Sequence, residues 1–480
     1  MADLEDAPLR DVPFRITHPE RIPKERYFDE EFFRLEKEHF WPRVWQMACR
    51  LEEIPEVGDW IEYTILDDSI IVVRAETGVK AFHNSCRHRG MRLVNGQGNC
   101  QGGGFVCPFH GWRWNIEGKN KLVWGRQVFS EEALDSAELD LVPCRVEIWG
   151  GAAFINMDDK AAPLLDHIGP LAERLNPHNV DKLQYEWWYA SVLPVNWKLA
   201  MEAFMEGMHV MRTHPQLHKA SIGSDKYAPP DAPAPRAVAD SKDLIERLVH
   251  MYGVLSEGMG GMVHANDVAI MRELKDQVEL PDDPRAALME FQRVVNDEIT
   301  RRGRARRVPM PDLNELARHP DPLRRYVFPN HFLLTQFGNM ASYRIRPLTP
   351  ETCLFELASL ILYPEDEKRP RPSMPDPIPA DDPRYPPISQ QDYSNLPEQQ
   401  IGLHSSSFKY MRLSRTIEGL ISNYQRLLDG YLLGIEEEKL AAASRIASAG
   451  LDWPIEDIGF GPTPQEVVAG ERFTTVQKLR

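Results

Sequence analysis

The sequence predicts an α+β chain in which a small β-rich module precedes a larger domain of mixed helix and sheet. Three observations predict it. Between Trp60 and Trp114, short β-prone runs such as Trp60–Leu66, Ser69–Arg74 and Gly104–Cys107 are bounded by turn formers. Between Asn196 and Pro215, polar and apolar residues recur at helical spacing. Beyond residue 326, strand-prone stretches return at Tyr326–Thr335, Ala341–Pro347 and Cys353–Tyr363. At about 100–200 residues per domain, 480 residues suit two to four domains. With 42% hydrophobic and 27% charged residues the composition is that of an ordinary globular protein, and the 39 prolines make it loop-rich.

The balance of charge, 56 basic against 72 acidic residues, argues against general binding to nucleic acid or anionic membranes. The N-terminus lacks the basic start and apolar run of a secretory signal, and no stretch of about 18 apolar residues occurs, so a cytoplasmic location is expected. Six scattered cysteines are too few for a disulfide framework, which makes any organised pair a metal or catalytic candidate. Two are organised. Cys86-Arg-His88 and Cys107-Pro-Phe-His110 each join a thiol to an imidazole, with Gly90, Pro108 and Gly111 beside them as turn formers. This Cys2His2 set suits one zinc ion or a [2Fe–2S] cluster whose irons take different ligands. Zinc fingers usually pair like with like, whereas each pair here is mixed. Cys49 and Cys144 read as buried, inert thiols, and Cys100 as part of a glycine-rich turn, Gly96–Gly104, that lacks the βαβ context of a dinucleotide site.

Both motifs, Cys86–Gly90 and Cys107–Trp112, resemble those of the Rieske non-haem iron oxygenases residue by residue. The resemblance implies that Cys86 and Cys107 hold one iron of a [2Fe–2S] cluster and that His88 and His110 hold the other. Two neutral imidazoles in place of thiolates raise the potential above that of an all-cysteine ferredoxin.

A cluster alone performs no chemistry on a substrate, so a second site is expected. In Asn196–Pro215, Glu202, Glu206 and His209 fall at i, i+4 and i+7 on one helical face. His214 lies five residues after His209, about 140° round a helix, so the two can share a metal only where the helix deforms or ends. Pro215 supplies a reason, because it biases the residue before it away from helical dihedrals. His218, four after His214, is a weaker rival for the same reason. Met201, Met205 and Met208 recur beside this face, as core packing or as a pliable wall of an apolar cavity.

This segment again resembles the oxygenase family, which carries Asn-Trp-Lys, an acid and two histidines at this spacing. The resemblance implies a mononuclear Fe(II) held by His209, His214 and a distant aspartate. Asp392, opening Asp392-Tyr-Ser-Asn395-Leu-Pro-Glu398 before a helix, fits best. Its rivals Asp376, Asp381 and Asp382 lie in a proline-dense loop, Pro370–Pro387. Glu206 takes the place of the carboxylate that bridges the iron histidine of one subunit and a cluster histidine of its neighbour. Many members have Asp there, and an aromatic residue where this chain has Met208.

The family pattern implies an N-terminal arm over 1–40 that packs on the catalytic domain, a Rieske domain over 41–158, a helix-grip catalytic domain over 159–440, and a C-terminal extension over 441–480. Within the catalytic part, 222–240 reads as a loop, Lys242–Tyr252 and Arg285–Arg302 as helices, and Phe328-Pro-Asn again matches the family. Arg301–Arg307 reads as a solvated helix end, with docking of an acidic ferredoxin as the alternative. The implied activity is that of a terminal oxygenase component using O2 and NAD(P)H-derived electrons, delivered by a separate ferredoxin or reductase, to hydroxylate or dihydroxylate a small apolar substrate, an aromatic one first. Oxidative O- or N-demethylation by a Rieske-type monooxygenase is the alternative. Transfer between subunits implies a homotrimer, and a β subunit stays open. An electron carrier with a vestigial second site and a zinc-stabilised binding module are the readings from other classes.

Overall fold

The computed structural model describes residues 10–100, 102–220, 238–319, 324–447 and 453–463. The acidic first nine residues, most of the expected loop over 222–240, and the last seventeen residues of the expected extension lie outside them.

The chain enters through β1 (Arg21–Pro23) and α1 (Glu30–Leu35), the latter capped by the Asp29 side chain, which accepts from Phe32 N–H. Ten strands then build the first domain: β2 (Gln46–Arg50), β3 (Asp59–Ile65), β4 (Asp68–Ala75), β5 (Gly78–His83), β6 (Gln97–Asn99), β7 (Phe105–Val106), β8 (Arg113–Trp114), β9 (Asn120–Leu122), β10 (Pro143–Trp149) and β11 (Ala152–Asn156). Seven form an antiparallel sheet in the order β2-β11-β10-β5-β4-β3-β6, and β7-β8-β9 form a small second sheet. The β-branched run Ile70–Val73 is buried on both faces of the larger sheet. The glycine-rich stretch read as a turn contains the short strand β6, which pairs with β3.

Helix α2 (Leu164–Leu175) leads to β12 (Leu183–Leu193), then to α3 (Trp197–Glu202), α4 (Met208–Thr213) and α5 (Pro215–Ala220). A helical insertion follows: α6 (Ser241–Met259), α7 (Ala265–Leu274), α8 (Pro284–Ala305) and α9 (Leu313–Ala317), sharing an apolar core around Leu248, Phe291 and Ile299. Strands β13 (Arg324–Val327), β14 (His331–Gln336), β15 (Asn339–Thr349) and β16 (Thr352–Leu362) complete a five-stranded antiparallel sheet, ordered β12-β16-β15-β14-β13. The run Tyr326–Thr335 is therefore two strands, divided at Phe328-Pro-Asn330, where proline offers no donor to a ladder. Period-two alternation assigns the faces of this sheet. Phe355 and Leu357 of β16 enter one core, and Ala358, Leu360 and Leu362 enter another with α2. Finally come α10 (Pro387–Leu403), β17 (Tyr410–Arg412), α11 (Gly419–Leu433) and α12 (Glu437–Ala447). Helix α11 is buried along its whole length within the first core.

The N-terminal arm locks onto this domain through buried ion pairs, Arg26 with Asp429 of α11 and Glu36 with Lys198 of α3. At the other end, α12 runs through residue 440, where the expected domain boundary lies. The chain stays packed beyond it: Trp453 O accepts from Gly419 N–H (2.8 Å), and Arg426 reaches Glu456 O (2.7 Å).

Residues 363–386 form an irregular strap between β16 and α10. Its Arg371 guanidinium grips the first domain, donating to Glu53 O (2.6 Å), Asp59 Oδ1 (2.9 Å), Gly98 O (2.9 Å) and Trp60 O (2.8 Å). Farther along, Ile378 N–H donates to Ala190 O (2.8 Å) on β12 and returns the strap to the catalytic sheet. Arg371→Ala removes these charge-assisted bonds and is expected to cost about 1.5–3 kcal/mol in chemical denaturation. An unchanged midpoint contradicts the strap's role in joining the domains.

Candidate metal centres

The two Cys/His loops are built alike. Cys86 N–H donates to Met91 O (2.8 Å) and Gly90 N–H to Cys86 O (2.9 Å); Cys107 N–H donates to Trp112 O (2.8 Å) and Gly111 N–H to Cys107 O (3.0 Å). Gly90 and Gly111 hold the same place in each loop, at φ +73° and +69°, a conformation that glycine adopts without penalty. The turns bury both thiols and leave both imidazoles half-buried, with ring centroids 4.7 Å apart. His88 also stacks on Trp112 at 4.8 Å. Burial, with the neighbouring Cys107 thiol adding to it, pushes the Cys86 thiol up. Buried thiols become ligands as thiolates, where a metal compensates the charge. His88 Nδ1 is buried without a hydrogen-bond partner among the described residues. Paired inner thiols, paired outer imidazoles and an orphaned ring nitrogen fit a two-iron cluster with unlike ends.

The second site departs from the helical expectation. The predicted continuous helix is interrupted: α3 ends at Glu202, and α4 begins at Met208 with Gly207 as its N-cap. Tyr326 Oη donates to Phe204 O, claiming a carbonyl that a continuous helix would use, and the Phe204 ring stacks on Phe332 at 4.8 Å. Glu202 accordingly does not extend the His209 face. It turns away, accepting from Tyr27 Oη (2.8 Å) and Gln425 Nε2 (2.5 Å).

His214 closes α4 with φ −116° and ψ +74°, outside the helical region, and Pro215 starts α5. The bend lets the two imidazoles face one site, their centroids 5.7 Å apart and their planes at 78°. Asp392 meets them from α10. It lies inside that helix, not ahead of it as the sequence suggested. His214 Nε2 is 3.2 Å and His209 Nε2 4.0 Å from Asp392 Oδ1, and ligand atoms of all three lie within 4.8 Å of one another. No other trio of His, Cys, Asp or Glu among the described residues qualifies as a single-ion site. His218 lies on α5 outside the trio, Asp376 and Asp381 lie in the strap, and Asp382 pairs there with Arg384 at 2.8 Å.

Both rings point Nε2 inward because their outer nitrogens are engaged. Glu206 Oε1 lies 2.6 Å from His209 Nδ1, and its Oε2 accepts from His209 N–H at 3.1 Å. Burial pushes the Glu206 carboxyl up, but the hydrogen bonds and charge of His209 outweigh it and hold the group below the usual carboxylate range. Gln391 Oε1 lies 2.7 Å from His214 Nδ1. Sequence reasoning missed Gln391; its adjacency to Asp392 was the only available signal. Glu206, His209 and Asp392 line a groove of about 370 Å³ that also includes Asn395, Phe408 and Glu418. Met201 and Met205 are core residues, whereas Met208 is 37% exposed, so the methionine stripe is packing and solvent face.

The basic run at the end of α8 is largely neutralised. Arg301 and Arg302 pair with Glu298, Arg302 also with Glu273, and Arg307 with Asp366. This favours the solvated helix end.

Burial raises the Glu202 carboxyl to about 7, against the hydrogen bonds of Gln425 and Tyr27 and the charges of Lys198 and Arg26. Its folded value lies above its unfolded one, so the stability it contributes is full below the ordinary carboxylate range and is lost as pH rises through about 7. Glu202→Gln is expected to flatten the pH dependence of unfolding free energy across this window, by up to about 1.4 kcal/mol per pH unit. Identical slopes in wild type and variant contradict this assignment.

Comparison with known proteins identifies both domains. Residues 44–128 match the Rieske [2Fe-2S] domain, and residues 178–434 match the ring hydroxylating alpha subunit catalytic domain. The carnitine monooxygenase oxygenase subunit of Acinetobacter baumannii is 31% identical over 209 residues, 43% of this chain and 55% of that protein. The glycine betaine monooxygenase oxygenase subunit of Chromohalobacter salexigens is 32% identical over 227 residues, 47% and 49% of the two chains. The matched stretch thus spans about half the length of these relatives. Among solved structures, naphthalene 1,2-dioxygenase bound to phenanthrene shares the fold with a TM-score of 0.60 at 21% identity, covering 91% of this chain and 96% of that one. A quaternary ammonium Rieske monooxygenase in complex with gamma-butyrobetaine does so with 0.56 at 19%, covering 88% and 99%. No helix among the described residues is long and apolar enough to cross a membrane. The catalytic-domain match alone covers more than half of the residues, and with the Rieske match ahead of it the chain belongs to the Rieske oxygenase alpha subunits.

Proposed function

We propose that this chain is the terminal component of an oxygenase system that uses O2 and NAD(P)H-derived electrons to hydroxylate a small organic substrate. The observation that carries the reading is the convergence of His209, His214 and Asp392 with Glu206 on the outer nitrogen of His209. Cys86, His88, Cys107 and His110 would hold a [2Fe–2S] cluster, and His209, His214 and Asp392 a mononuclear Fe(II). When bound, the cluster supplies single electrons and the Fe(II), faced by two histidines and one carboxylate, supplies open positions for dioxygen chemistry.

The chain's own residues prepare that chemistry. Glu206 fixes the ring of His209 and raises its basicity as a ligand, the usual effect of a carboxylate behind a metal-bound imidazole. Its side chain is mostly buried but lines the groove, through which a donor from outside the chain would reach it. We assign that donor to a cluster histidine of a neighbouring subunit, which makes the assembly a closed ring, a homotrimer. A ferredoxin or reductase would reduce the cluster, and a β subunit is not required by this route. Among dihydroxylation of an aromatic ring, monohydroxylation and oxidative O- or N-demethylation, the monooxygenase outcomes are favoured by the relatives named carnitine and glycine betaine monooxygenase oxygenase subunits. The substrate proposed first for testing is therefore a small quaternary ammonium compound, with aromatic hydrocarbons second.

Metal analysis tests the reading. The purified protein is expected to carry three irons and two acid-labile sulfides per chain, falling to two irons with an unchanged cluster spectrum in Asp392→Ala. Two irons in the wild type, or none, would falsify the oxygenase assignment. Glu206→Gln is expected to keep all three irons and lower turnover by at least about tenfold, the scale seen when such partners of metal-bound histidine are removed. Wild-type rates in that variant contradict the bridging role.

A further inference from the structure

The two iron histidines are steered by chemically different partners. Glu206 is a carboxylate that only accepts, so His209 Nδ1 has one course, to carry the proton and donate it. Behind His214 stands an amide, which presents an acceptor oxygen or a donor NH2 depending on its rotation. Were the NH2 of Gln391 turned to His214, Nδ1 would have to accept, the ring proton would move to Nε2, and the nitrogen facing Asp392 would lose the lone pair that a metal needs. Something must therefore choose the amide's orientation.

In the structure the Gln216 amide pairs with that of Gln391 in the orientation that the site needs. Its Nε2 donates to Gln391 Oε1 at 2.9 Å, the same oxygen that lies 2.7 Å from His214 Nδ1. In return Gln391 Nε2 donates to Gln216 Oε1 at 3.4 Å. An oxygen with two lone pairs accepts from both donors, and the reciprocal bond ties the NH2 away from the imidazole. The sequence keeps this arrangement compact. Gln216 follows the His214–Pro215 bend by one residue, and Gln391 immediately precedes Asp392 on α10. One turn of α10 thus delivers both the carboxylate of the site and the acceptor that orients a facing imidazole.

We propose that Gln391, held in orientation by Gln216, is a positioning residue that keeps the ring proton of His214 on Nδ1 and the lone pair on Nε2, and so sets the Fe(II) affinity of the second centre. This rests on the reading of His209, His214 and Asp392 as the iron site. The test uses full-length, cluster-loaded protein and measures Fe(II) affinity at the second centre by anaerobic competition with a colorimetric chelator. The visible spectrum of the cluster and the unfolding midpoint report the fold. Gln391→Glu keeps the acceptor oxygen and is expected to bind Fe(II) at least as tightly as wild type. Gln391→Met keeps the length without a strong acceptor and is expected to bind about 10–100-fold more weakly. Gln216→Glu cannot donate, so it draws the Gln391 NH2 toward itself and is expected to weaken binding by at least about tenfold. All three within twofold of wild type, or Gln391→Glu weakened as much as Gln391→Met, overturns the proposal. If Gln391→Met does not fold, the contrast between Gln391→Glu and Gln216→Glu decides it in the same way. A wild-type protein that takes up no Fe(II) beyond its cluster refutes instead the iron-site reading on which the proposal rests.

Discussion

The catalytic half of the molecule depends on two interruptions in one helical segment. Had residues 197 to 218 continued as a single helix, His209 and His214 would project about 140° apart and could not share an ion. The first break, between Glu202 and Met208, releases α4 from the axis of α3 and leaves His209 N–H to donate to the Glu206 carboxylate. The second, at His214 and Pro215, rotates the other imidazole toward Asp392. Neither break costs an unsatisfied buried carbonyl at Phe204, because Tyr326 on β13 donates to it from the sheet.

The surroundings make that geometry a property of the whole domain. Helix α3 is tied to the N-terminal arm by Lys198 and Trp197, which both reach Glu36, and the arm is tied to α11 by Arg26 through Asp429 and Gln425. Helix α10 is tied to the start of α3 by Gln400, whose Oε1 accepts from Asn196 N–H at 3.0 Å. Buried ionic networks of this kind contribute little net stability, since desolvation offsets the Coulombic gain. Breaking one half leaves a buried charge, however, so they restrict how the segments assemble. Their effect here is to fix three chain segments, distant in sequence, around one ion-sized space.

Legibility in the sequence followed the range of the determining interactions. The Cys86–Gly90 and Cys107–Trp112 loops were readable because their turns are closed by bonds within six residues, with glycines at positions that demand positive φ. The bend at His214 was readable because proline acts on its immediate neighbour. The break after Glu202 was not, because its causes are tertiary: Tyr326 and the Tyr27–Gln425 pair come from elements more than 100 residues away. The split of Tyr326–Thr335 into two strands had a local hint in Pro329, and the persistence of structure past residue 440 had none. They were decided by packing against β15 and α2. Gln391 carried no signal beyond its adjacency to Asp392, since an amide becomes informative only when its partners are known.

In the proposed second metal centre, two Nε2 atoms from a bent helix pair and one carboxylate oxygen from a distant helix hold the iron. An anaerobic crystal structure of the Fe(II)-loaded protein, with anomalous data at the iron edge, tests it directly. An iron separate from the cluster is expected, bound to Nε2 of His209, Nε2 of His214 and Asp392. Iron bound through either Nδ1, or at another set of residues, contradicts it.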